Sequence, residues 1–131
     1  MEIEWSGEIP FERGRIEKEV PAQPGVYKII QSEPYQRYVG QTPILKIGMS
    51  RTNLKHELLN HFIRHTVANR LARIRNRESL KVSVVFVLLS KDSAIDVEGK
   101  LLRDFEDNHW DLPVLNSQRG YGRAEDGHYK Y

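Results

Sequence analysis

The sequence predicts an α/β domain of the α+β kind, with a small central, mainly antiparallel three-stranded sheet flanked by helices. Three observations carry this expectation. Val82 to Leu89 is apolar and β-branched except at Ser83, the composition of a strand covered on both faces. Asn53 to His65 and Lys91 to Asp107 carry apolar residues at helical spacing. Gly25 to Ile30 and Ile44 to Gly48 are short runs rich in Val, Ile and Tyr, as half-buried strands are.

Taken in chain order, Gly25 to Ile30 is the first strand, and Ser32 to Arg37, polar and containing Pro34, reads as a turn or loop. Ile44 to Gly48 is the second strand. In the helix that follows, Leu54, Leu58 and Phe62 stand four apart with Leu59 and Ile63 beside them, and Asn53 or Thr52 supplies the N-cap. Thr66 opens a further helix to about Arg77, buried through Val67, Leu71 and Ile74. Val82 to Leu89 is the central strand, and the last helix is capped by Asp92 or Ser93. The expected order is β-β-α-α-β-α. Residues 1–131 form one domain with a core of about 24–120 and a polar tail over 119–131.

Composition excludes several classes of function. The 131 residues include no cysteine, which removes disulfide scaffolds and thiolate metal sites. The longest apolar run is far shorter than the roughly 20 residues of a membrane span. Glu2, Glu4 and Glu8 around Trp5 resemble no signal peptide, so a soluble cytoplasmic protein is expected. The net charge of +2 conceals a sorting of charge along the chain. Residues 51–81 hold eight bases against two acids, residues 1–20 three against six, and residues 91–111 three against seven. A basic helical segment in a mildly acidic chain is the pattern of a phosphate-backbone binder, and Arg70, Arg73 and Arg77 share one helical face.

Glu98 interrupts an apolar stripe. It lies four residues after Ala94, three after Ile95, three before Leu101 and four before Leu102, so it points where they point. A carboxylate facing a core is paired, hydrogen-bonded or bound to a cation, because an unpaired buried charge costs several kcal/mol. Either a salt bridge or a cation site satisfies that requirement. The zincin-like run His56-Glu57-Leu58-Leu59-Asn60-His61 is a different matter, since its histidines are five apart and diverge by about 140° around a helix. His61 and His65, four apart, read as a solvated pair.

Short motifs follow one another in a fixed order: Gly25-Val26-Tyr27, then Lys46-Ile47-Gly48-Met49-Ser50, then Asn53-Leu54 opening the helix with His61, then Glu98, then Pro113-Val114-Leu115-Asn116. In this order the chain resembles the GIY-YIG nuclease family over roughly residues 24–120. Two departures stand out. The second family tyrosine corresponds to Lys46, unless Tyr38 of Tyr38-Val39-Gly40 folds back into the site. The family arginine corresponds to Glu57, leaving Arg51 or, by helical position, Arg64 to replace it.

The resemblance implies a metal-dependent endonuclease acting on DNA, or a catalytically degenerate nucleic-acid-binding module on the same fold. It implies Mg2+ or Mn2+ held by Glu98, a cation that retains most of its waters and accepts a single carboxylate. Tyr27 is then the proton acceptor, Lys46 the cation that activates it and contacts phosphate, and His61 a proton-relaying partner. Arg64 is the transition-state cation, and Asn116 fixes the tyrosine or the substrate. Arg51, Arg70, Arg73, Arg77 and Arg119 are the implied contacts to nucleic acid, and the small size suits a homodimer or a larger DNA-processing assembly.

Overall fold

The computed structural model describes residues 3–63, 72–73 and 80–116. Among them the chain forms β1 (Ile9–Pro10), α1 (Arg13–Glu19), β2 (Gly25–Gln36), β3 (Gln41–Ser50), α2 (Leu54–Asn60), β4 (Val82–Leu88) and α3 (Lys91–His109). The strands make one antiparallel sheet in the order β1-β4-β2-β3. The α+β class is therefore as expected, but the sheet has a fourth strand and α1 precedes the elements read from the sequence. Ile16 and Val20, the apolar positions of the α1 region, are too few to raise a periodic signal in a charged stretch, yet both are buried.

The hairpin β2-β3 is longer than the alternation suggested. Ser32 to Arg37 is not a turn: β2 runs through Gln36, and the turn lies at residues 37–40, closed by the Arg37 amide donating to the Gly40 carbonyl at 2.9 Å. Pro34 is tolerated because β4 pairs with β2 only as far as Gln31, and the β2-β3 register breaks between Ile30 and Tyr35. Pro43 is tolerated in β3 because that strand is at the edge of the sheet. Gly40 takes φ +73 in the turn, a conformation most side chains disfavour.

Cross-strand neighbours share a face, so Tyr27, Ile29, Lys46 and Gly48 project together. On that side Tyr27 and Ile29 pack with Leu45, Phe11, Ile16, Val20, Leu54 and Leu58. The opposite side, with Val26 and Ile47, is covered by α3 through Ala94, Val97, Leu102 and Phe105. The α3 helix is capped by Ser90, whose hydroxyl accepts from the Ser93 amide, rather than by Asp92 or Ser93. At the N-terminus of α2 the cap is Asn53, accepting from the His56 amide at 3.0 Å. That helix ends at Asn60, with residues 61–63 in a turn, rather than running to His65.

The helix expected over 66–77 lies outside the described residues except at Ala72 and Arg73, which are helical. The tail over 119–131 also lies outside them. No helix among the described residues is long and apolar enough to cross a membrane.

Candidate active site

Tyr27 enters the core from β2 directly opposite Gly48 of β3. A side chain at Gly48 would collide with the Tyr27 ring and hydroxyl, so glycine there is what lets the phenol lie across the neighbouring strand. Its hydroxyl donates to Glu57 Oε2 at 3.0 Å and lies 3.2 Å from His61 Nε2. Glu57 and His61 are four apart, so both lean from one face of α2 and the turn after it onto the phenol. The imidazole stands edge-on to Tyr27 and to Phe11, and its Nδ1 donates to the Glu57 carbonyl at 2.9 Å.

Proton counting gives this triangle its chemistry. A carbonyl and a carboxylate only accept, so His61 Nδ1 carries a proton and Tyr27 spends its single proton on Glu57. The contact between His61 Nε2 and the phenol oxygen is a hydrogen bond only if Nε2 is protonated as well. The closed network therefore holds one proton more than neutral His61, un-ionised Tyr27 and ionised Glu57 carry together.

Burial raises the Tyr27 pKa well above the ordinary 10.0, and the charge of Glu57, the hydrogen bond to it and the charge of Glu98 push the same way. Tyr27 is fully buried, so the proton-accepting role that the resemblance implies would have to run without a free phenolate. Lys46 is shifted below the ordinary lysine value by burial, opposed by Glu57 and Glu98. Two carboxylates thus bear on the site where the sequence suggested that a cation would dominate.

Lys46, Glu57 and Glu98 keep partial solvent access, whereas Tyr27 and His61 do not. Glu98, on α3, reaches this cluster through its charge. Glu98 lies within the arc of α3 that buries Ala94, Val97, Leu102 and Phe105, as the stripe implied, but Ile95 lies outside it at 39 % exposure.

Asn116 acts elsewhere than expected. Its Oδ1 accepts from the Ile47 amide at 2.9 Å and its Nδ2 donates to the Ile47 carbonyl at 2.8 Å. With the Leu115 amide donating to the Leu45 carbonyl, it covers the free edge of β3 and holds the strand that carries Lys46 and Gly48. Tyr38 does not fold back: it is 79 % exposed at the hairpin turn. Arg51 is exposed just after β3, and Arg73 is exposed. Arg64, Arg70, Arg77 and Arg119 lie outside the described residues.

From the sequence, Glu57 is a residue that could share a metal with His61 and His65 and the occupant of the family arginine's position, but not the partner of Tyr27. The signal that placed it in the site was its i, i+4 relation to His61, the more buried of that pair.

Among the described residues, no group of three or more His, Cys, Asp or Glu side chains is arranged to hold a metal ion. A zinc-like cage has no candidate there. For a hard cation that keeps most of its waters and takes one or two carboxylates, Glu98 is the oxygen donor that the family resemblance implies. Comparison with protein-family models, with curated proteins and with solved structures returns no match.

Tyr27→Phe is expected to destabilise the fold by about 1–3 kcal/mol, because Glu57 and His61 lose their shared partner inside the protein. The sign of its pH effect follows from the raised pKa. Below pH 10 the phenol is protonated in both states. Above it the unfolded chain releases the proton while the folded chain retains it, so stability falls as pH rises. Lys46 acts oppositely: its lowered pKa makes the folded chain lose a proton first, so stability gains from its lowered value up to about 10.5. Urea unfolding between about pH 8 and 11.5 should show the alkaline loss in the native chain and a smaller one in Tyr27→Phe, where the burial-raised Tyr35 still contributes.

Proposed function

We propose that the chain is a divalent-metal-dependent endonuclease of the GIY-YIG kind that hydrolyses phosphodiester bonds in DNA. The observation that carries the reading is the Tyr27–Glu57–His61 hydrogen-bonded network, with the charges of Lys46 and Glu98 acting on it. Support also comes from the pairing of Gly25-Val26-Tyr27 with Lys46-Ile47-Gly48 on adjacent antiparallel strands, and from the basic bias of residues 51–81.

In this mechanism the Tyr27 hydroxyl first turns its proton toward the unprotonated Nε2 of neutral His61. Glu57 then takes the proton of the attacking water and passes it to the phenol oxygen as the phenol's own proton moves to Nε2. The phenol never ionises, which agrees with its raised pKa. The product of the transfer is the imidazolium state in which all three hydrogen bonds are made. Reversal of the relay returns the proton to the leaving oxygen. Lys46, largely buried beside the network but still reached by solvent, contacts the scissile phosphate and offsets its charge. Bound at Glu98, a divalent ion would supply the charge that stabilises the pentavalent transition state and the leaving oxygen.

A second reading is favoured by Glu57 itself. It sets a negative charge where the resemblance calls for arginine, as a non-catalytic DNA-binding module tolerates. Incubating supercoiled plasmid and short duplexes with the protein in Mg2+ or Mn2+, and in EDTA, separates the two. Metal-dependent nicking supports the enzyme, and retention without cleavage supports the binding module.

The two readings share the basic segment. If Arg73 contacts a phosphate, Arg73→Ala should weaken binding about equally on every sequence and flatten the plot of log affinity against log salt by roughly one unit. An unchanged slope in fluorescence anisotropy from 50 to 300 mM salt, a range of about sixfold in screening ions, would assign Arg73 to a solvated face.

A further inference from the structure

The hairpin turn and the end of α3 build a second feature, on the order of 30 Å of strand from Tyr27 at the ~3.3 Å rise per residue of β2. Trp110, the C-cap of α3, is 68 % exposed and Tyr38 is 79 % exposed, and their rings meet edge to face with centroids 6.2 Å apart. The backbone around them is fixed. The Val39 amide donates to the His109 carbonyl at 3.1 Å, His109 Nδ1 donates to the Val39 carbonyl at 2.7 Å, and Arg37 pairs with Asp111 at 2.5 Å.

Trp110 also adopts φ 60 and ψ 26, the left-handed conformation in which a helix cap favours glycine or asparagine. The chain therefore places a large apolar ring at a strained position and leaves it in water. Burial does not explain this residue, and backbone preference opposes it. On the last turns of α3 the exposed Asp104 and Asp107 stand against Arg103, while Asp111 is ion-paired with Arg37 across the hairpin. The negative end of the helix dipole adds to that excess.

We infer that the Tyr38–Trp110 platform is a docking site for an arginine- and lysine-rich protein segment, with one cationic side chain lying over the Trp110 ring. Ring faces attract cations, and the exposed carboxylates of the last α3 turns attract the rest of such a segment. The same carboxylates repel a phosphate backbone, which turns the aromatic pair away from base stacking. The hydrogen-bonded and ion-paired turn holds both rings in place before binding, so little ordering cost falls on the protein side.

The test titrates the full chain with an octa-arginine peptide, following the Trp110 indole N–H by NMR and peptide anisotropy, alongside Trp110→Gly and Tyr38→Ala. The peptide is expected to shift the Trp110 signal, and its affinity to fall about tenfold in Trp110→Gly. That variant should melt no lower than the native chain, because glycine suits the left-handed cap. Equal affinity in all three proteins would overturn the inference. So would a single-stranded oligonucleotide that shifts the Trp110 signal when octa-arginine does not.

Discussion

Glu98→Gln is expected to lower metal-dependent cleavage by roughly a thousandfold, the scale on which removing a preorganised electrostatic contact acts. The amide keeps the shape of the side chain but loses the charge that acts on Tyr27 and Lys46. Stability should change by less than about 1 kcal/mol, since the residue is only half-buried and a partly solvated charge is worth little. Manganese affinity, read by isothermal titration with no DNA present, should fall with the activity. A pure salt-bridge role gives the reverse pattern: a lower melting temperature and no change in metal affinity.

The parts of the fold that the sequence revealed are those with a dense local signal. Val82 to Leu88 announces a buried strand because nearly every residue is apolar, and α3 announces itself through Ala94, Leu101, Leu102 and Phe105. Where the signal was sparse or tertiary, it could not be read. The two residues of β1 become a strand only by pairing Ile9 with Val84, a contact that nothing local specifies. The polar stretch after Ile30 has the composition of a turn, and it extends because β3 offers a partner and β4 has already ended.

The same distinction divides the candidate site. Glu98 stands out by its place in a helical stripe, whereas Tyr27, Lys46 and His61 are named through the family resemblance of the motif order. The direction of the Tyr27 shift could not, because it depends on burial and on a carboxylate thirty positions away. Asn116 was identified as important, but only its two hydrogen bonds to Ile47 reveal that it holds a strand edge rather than the tyrosine.

Glu57→Arg is the substitution that separates the two roles open to Glu57. If Glu57 is the proton acceptor at the head of the relay, replacing it removes the base and the hydrogen-bond acceptor of Tyr27 in one step. Cleavage should then fall by about two to four orders of magnitude, the usual contribution of a general base. If the native residue is instead a lesion in an arginine-dependent site, the same substitution supplies the missing cation. The decisive measurement is the single-turnover cleavage rate of Glu57→Arg on plasmid DNA in Mg2+, beside the native chain and a check of folding by circular dichroism. The relay mechanism predicts a folded protein with cleavage reduced at least a hundredfold or so. A rate that rises above the native one would contradict it.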